Sequence, residues 1–191
     1  MTNAWWALGD VGVRARTEQV RAVVVHHTGG EGGAEQVCRT LRARRLSVHY
    51  VIDYDGAVTQ HADHDVVTYH AGQANGWTIG VEVVNRARPP ATTAHPREAY
   101  RDVVHGRESA RLRFTPAQVE ACRALCRRVC AEYGLPFDVP KDPSGALITT
   151  TLAPQVLATY RGVLGHYHVT SRKIDPVPHL LRDIMLPHTT V

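Results

Sequence analysis

The sequence has no apolar stretch long enough to cross a bilayer, and its opening, MTNAWWALGDVGVRAR, has neither a basic start nor an apolar middle. A polypeptide synthesised in the cytoplasm without a signal peptide, and with no membrane partner, is therefore expected. No basic run is interleaved with aromatics. The 22 Lys and Arg exceed the 18 Asp and Glu by only four, and the arginines are scattered or sit on helical faces, which argues against nucleic acid as a partner. A pI near 9.0 still suits contact with an anionic polymer or cell surface. Cysteine is scarce, and three of the four, Cys122, Cys126 and Cys130, recur every fourth residue in ACRALCRRVCAEYG. That spacing stacks them on one helical stripe, poorly placed for a disulfide or a metal cluster, so buried free thiols are expected. Internal repeats and low-complexity tracts are also lacking.

What is present is ordinary globular material with abundant histidine. At 191 residues, 43% hydrophobic and 21% charged, the chain suits one domain over 1–191 with a core of about 20–186, and 12 histidines mark where its chemistry lies. RAVVVH at 21–26 is β-branched and continuous and dissolves into Thr28-Gly29-Gly30, so it predicts a buried strand ending on His26. Residues 33–45 predict a helix. HYVIDYDGAVTQ at 49–60 predicts a hairpin around Tyr54-Asp55-Gly56, and TIGVEVVN at 78–85 another strand. Residues 86–113 are polar and broken by Pro89, Pro90 and Pro96, which predicts a long connection, an insertion or lid loop. The stretch 114–136 carries the strongest helix signals: Thr115 as N-cap, Pro116 at the first position, Gly134 and Pro136 as stops. GVLGHYHVTSRKIDPVP reads as a polar loop before a short terminal helix, HLLRDIML. The pattern is α/β, one mixed central β-sheet flanked by helices.

Side chains alternate across a strand, so of His26 and His27 at most one faces a given cleft. GHYHVTSRKIDPVP adds His166, Lys173 and Asp175 in a short segment. Two imidazoles and a carboxylate are a ligand set for catalytic zinc, which keeps a position open for water. Glu82 lies within a Val- and Ile-rich strand, where burying a carboxylate is costly without a purpose, and it is a candidate base.

The order VVVHHT, SVHYVIDYDG, TYHAG, TIGVEVVN, a Pro-Ala-Gln helix and GH followed by RKIDP resembles the zinc-dependent N-acetylmuramoyl-L-alanine amidases of the type 2 class, relatives of the peptidoglycan recognition proteins and amidase-type endolysins. The resemblance spans about residues 20–186. It implies a peptidoglycan recognition protein-like single domain, a Zn2+ cofactor and a peptidoglycan or muropeptide substrate whose muramic acid–L-alanine amide is hydrolysed. By motif, the ligands fall on His26, His166 and Asp175, the oxyanion-stabilising lysine on Lys173 and the base on Glu82. Val48 stands where the endolysin branch carries a tyrosine, which favours the Glu82 mechanism. His70 and Tyr69 of TYHAG are expected to line the substrate groove, with His27 grouped beside them or packing behind the ligand. His49 is expected to pack, and His166 is preferred to His168 because it follows the glycine.

Three readings follow: a cell-wall lytic amidase, as endolysin or secreted effector; a cytosolic enzyme recycling muropeptides; and a peptidoglycan-binding module without activity. Retention of both histidines, Asp175, Glu82 and Lys173 argues against the last, because polar groups facing an empty cleft confer no stability. The lytic reading places the site of action in the cell wall or periplasm. An immunity or secretion partner is left open by these residues.

Overall fold

The structure is a computed structural model that describes residues 2–3, 13–86, 88–90 and 95–186. Most of the segment read above as lacking a leader thus lies outside the described residues. Among the described residues ten strands occur: β1 Thr2–Asn3, β2 Val13–Ala15, β3 Ala22–His27, β4 Tyr50–Ile52, β5 Val58–Gln60, β6 Val66–Thr68, β7 Thr78–Val83, β8 Ala99–Val104, β9 Arg107–Leu112 and β10 Gly162–Gly165. Five α-helices, α1 Ala34–Ala43, α2 Pro116–Glu132, α3 Pro154–Thr159, α4 His166–Val169 and α5 Pro178–Met185, and a 3-10 helix over Gly72–Trp77 accompany them there. Six strands form one mixed sheet in the order β1-β5-β4-β7-β3-β10. The β4, β7, β3 and β10 strands run parallel, and β5 returns antiparallel to β4 through the expected turn. A smaller pair joins β2 to β6, and β8 pairs with β9.

Alternation along the parallel strands divides the core. Val23 and Val25 of β3, and Ile79, Val81 and Val83 of β7, pack with Leu125 and Val129 of α2 and Leu180 and Ile184 of α5. Ala22, Val24 and Leu164 face the other side, against Trp77 and Leu157. Parallel strands covered on both faces are apolar throughout, which is why RAVVV has no polar interruption. The same alternation puts His26 and Glu82 on the face opposite α2 and α5, in register with one another across β3 and β7.

Helix α2 begins as the sequence predicts: Thr115 Oγ1 accepts from the Gln118 N–H at 3.1 Å, and Gln118 Oε1 accepts from the Thr115 N–H at 3.1 Å. Cys122, Cys126 and Cys130 are buried and free, and Cys38 too, its thiol pushed up to about 12 by burial. Two expectations change. Within the connection expected over 86–113, the described residues include a hairpin of β8 and β9 closed at His105-Gly106. Half of its twelve strand residues are exposed and five are charged, so no apolar alternation announces them. GVLGH is not loop either: only two apolar residues stand between its glycines, and what makes β10 a strand is parallel pairing with β3.

Candidate active site

The site lies at the carboxyl ends of β3, β7 and β10, where open parallel sheets place their ligands. His26 is the fifth residue of β3, Glu82 the fifth of β7, and His166 opens α4 directly after β10. Asp175 comes from the segment before α5. Its Oδ2 lies 3.0 Å from His26 Nδ1 and 3.1 Å from His166 Nδ1. One ligating atom from each of the three residues falls within 4.8 Å of the other two.

Hydrogen bonds on the far side of His26 favour a proton on its Nε2. The Thr78 hydroxyl donates to Ala74 O at 2.7 Å, so its oxygen accepts from His70 Nε2–H at 3.3 Å. Burial holds the His70 imidazole well below its usual range, and the neutral ring therefore presents Nδ1 as an acceptor. His26 Nε2–H donates to it at 2.9 Å. Burial lowers His26 itself to about 4, so it too is neutral and has no second proton. His26 Nδ1 faces the Asp175 carboxylate at 3.0 Å, an arrangement that either a proton on Nδ1 or a cation between the two satisfies. Burial opposes ionisation of Asp175, yet the contacts with His166 and His26 outweigh it and keep the carboxyl well below its ordinary range. Two imidazole nitrogens and a carboxylate oxygen fit a small divalent cation.

Glu82 projects from the same face as His26. Its Oε2 is buried with no hydrogen-bond partner among the described residues. Burial first and the Asp175 charge second raise its carboxyl to about 8, against the opposing pull of Lys173. Such a group exchanges its proton near neutral pH, as a general base must.

An open groove of about 570 Å³ leads to this centre, lined by Tyr69, His70, His166, Arg172 and Lys173 among others, with no acidic side chain on its walls. The backbone at Tyr69-His70-Ala71 is held by Asn75 Oδ1, which accepts from the His70 and Ala71 N–H groups. His70 in turn packs against β7 where residue 80 is glycine, since a Cβ there would lie 2.8 Å from the ring. His27 is elsewhere: it points to the opposite face of β3, its two ring nitrogens buried without partners among the described residues, and it does not line the groove. His49 packs as expected, accepting the Gly80 N–H at Nδ1, with burial lowering it to about 3. His168 is not free to compete with His166, because Nδ1 accepts from the Gly165 N–H and Nε2–H donates to Ile148 O. Val48 is fully buried under α1, away from the groove. Thr78, Asn75 and Arg172 escaped the sequence reading, because nothing in their local pattern separates them from strand, turn and loop residues.

Fold and site together define a mixed-sheet α/β domain with a His-His-Asp centre at the strand ends, of the peptidoglycan recognition type. The chain belongs to the N-acetylmuramoyl-L-alanine amidase family, whose model matches residues 16–178. No curated protein matches it in sequence. Among solved structures, E. coli AmiD in complex with anhydro-N-acetylmuramic acid-L-Ala-D-gamma-Glu-L-Lys is 19% identical, with a TM-score of 0.55 over 89% of this chain and 60% of AmiD. Staphylococcus aureus AmiA in complex with its ligand is 16% identical, with a TM-score of 0.57 over 87% of this chain and 71% of that one. Drosophila peptidoglycan recognition protein SA is 17% identical, with a TM-score of 0.54 over 96% and 88%. The chain thus spans less than two thirds of AmiD. Among the described residues no helix is long and apolar enough to cross a membrane.

Proposed function

We propose that the protein is a zinc-dependent amidase that cleaves the bond between N-acetylmuramic acid and L-alanine, acting on the cell wall as a lytic enzyme of the endolysin or secreted-effector kind. One observation carries this reading: His26, His166 and Asp175 offer ligand atoms within 4.8 Å of one another, with the unpartnered Glu82 Oε2 on the adjoining strand. His26, His166 and Asp175 would hold the zinc, which supplies Lewis acidity to the reaction. Glu82 takes a proton from the attacking water as its oxygen bonds to the lactyl carbonyl carbon. It returns that proton to the alanine nitrogen as the C–N bond breaks. Lys173, exposed on the groove wall, places a positive charge near the carbonyl oxygen as negative charge develops there. Arg172 beside it, and the lack of acidic lining, suit a stem peptide rich in carboxylates. AmiD, similar in fold, binds an anhydromuramoyl peptide, which supports a muropeptide or peptidoglycan substrate here.

The test is bound zinc together with turnover on intact sacculi and on soluble anhydromuropeptide. About one zinc per chain and amide release from sacculi are expected. Exclusive use of the soluble fragment would replace the lytic reading with a recycling one, and a metal-bound protein inert on both substrates would be a binding module.

A further inference from the structure

The segment carrying Lys173 and Asp175 is flanked by two contacts with the β8–β9 hairpin. At its far end, the His179 N–H donates to Asp102 Oδ2 at 3.0 Å. At its near end, His105 Nε2–H donates to the backbone carbonyl of Lys173 at 2.9 Å, across 68 residues of sequence. The Lys173 N–H is already committed to Thr170 O at 3.2 Å. Both backbone groups of Lys173 are thus fixed, which sets the direction in which its side chain leaves the chain.

His105 occupies an unusual place. It and Gly106 form the two-residue hairpin loop with φ of 53° and 73°. Both central residues of such a turn need positive φ, for which Asn-Gly or Gly-Gly is the ordinary choice. A histidine tolerates this conformation better than most residues but less well than glycine, and it is not the usual choice for such a turn. The ring instead reaches Lys173 and stands edge-on to Tyr167, the neighbour of His166, with centroids 6.4 Å apart. The His105 N–H donates to Thr149 O at 3.0 Å, anchoring the tip on a third segment.

We infer that His105 is a positioning residue: through its hydrogen bond to the Lys173 carbonyl, the hairpin holds the Lys173 ammonium over the reacting amide. The inference rests on the amidase reading for its kinetic consequence and on the turn geometry for its structural one. The hairpin is then a strut behind the groove wall and not a lid over it.

Three variants test this. His105→Ala and His105→Gly both remove the donor, but only glycine relieves the positive φ. His105→Gln returns an N–H donor at a similar reach. A lost hydrogen bond that orients a transition-state contact lowers kcat about three- to tenfold, with KM within about twofold of the parent. The expected result is equal loss in Ala and Gly, near-parental kcat in Gln, and parental zinc affinity in all three. Recovery in His105→Gly relative to His105→Ala would trace the effect to turn stability and overturn the inference. So would a parental kcat in His105→Ala, or a change confined to KM. If the parent hydrolyses neither substrate, the amidase reading fails separately, and amide hydrogen exchange at Lys173 decides. Faster exchange in Ala and Gly but not in Gln supports the strut, and equal exchange in all removes it.

Discussion

Glu82 is the residue on which fold and chemistry conflict most directly. A buried carboxyl at about 8, against an ordinary 4.5, means that the folded metal-free protein binds a proton that the unfolded chain releases above about pH 4.5. Stability therefore falls as pH rises between about 4.5 and 8, by roughly 1.4 kcal/mol per unit, and levels off beyond 8. Glutamine at this position does not titrate. In metal-free protein, the stability of Glu82→Gln relative to the parent should rise with that slope across the window, read from urea midpoints at pH 5, 6, 7 and 8. A flat difference would mean that the carboxyl is not held away from solvent as described. The same substitution should lower kcat by about 10²- to 10⁴-fold, because no other group on the His26 face of β7 can shuttle the proton. Zinc affinity should stay near the parental value, since Glu82 lies outside the His26, His166 and Asp175 cluster. Thr78 shows how a residue acts at one remove: its hydroxyl donates to Ala74 O and leaves its oxygen facing His70 Nε2, whose other nitrogen meets His26.

Among the elements, α2 is the clearest case of a local signal that also fastens the fold. The Thr115 hydroxyl donates to Tyr54 O at 2.8 Å while accepting from Gln118 N–H, and Gln118 Nε2 donates to Val84 O at 2.6 Å. One capping box thus ties the helix to the β4–β5 turn and to the chain leaving β7. Thr115→Ala should cost about 1–2 kcal/mol, seen as a lower urea midpoint, with kcat unchanged because the cap lies away from the groove. An unchanged midpoint would show that water replaces both contacts. The start and stop of α2 were legible in sequence because a cap, a proline and a glycine act within one turn of the helix. The strand β3 was legible because burial on both faces forces an unbroken run of Ala and Val, and β7 because Ile79, Val81 and Val83 alternate along it. By contrast, β10 is a strand only through its pairing with β3, and β8–β9 closes on His-Gly where a sequence reader looks for Asn-Gly. The site divides in the same way. His26, Glu82, His166 and Asp175 stand at positions that alternation or a motif singles out, whereas His105 and Thr78 gain their roles from groups remote in sequence.

For the molecule as a whole, the centre is a clasp. His26 and Asp175 are 149 residues apart and reach one point only when the sheet is complete from β7 through β3 to β10 and α5 has docked. A cation held there binds the folded state alone, so its binding free energy adds to global stability. Zinc at a hundredfold excess over its Kd contributes about 2.7 kcal/mol, and for a domain of this size each kcal/mol moves Tm by about 2–4 °C. Adding zinc to chelated protein should therefore raise Tm by roughly 5–10 °C. The shift should vanish in His26→Ala and in Asp175→Ala, and persist in Glu82→Gln and His105→Ala, in which the three ligands are intact. Calorimetry on the five proteins, with and without zinc, reads this directly. A shift retained in His26→Ala would place the metal elsewhere. No shift in the parent would mean that a proton, and not a metal, bridges His26 and Asp175.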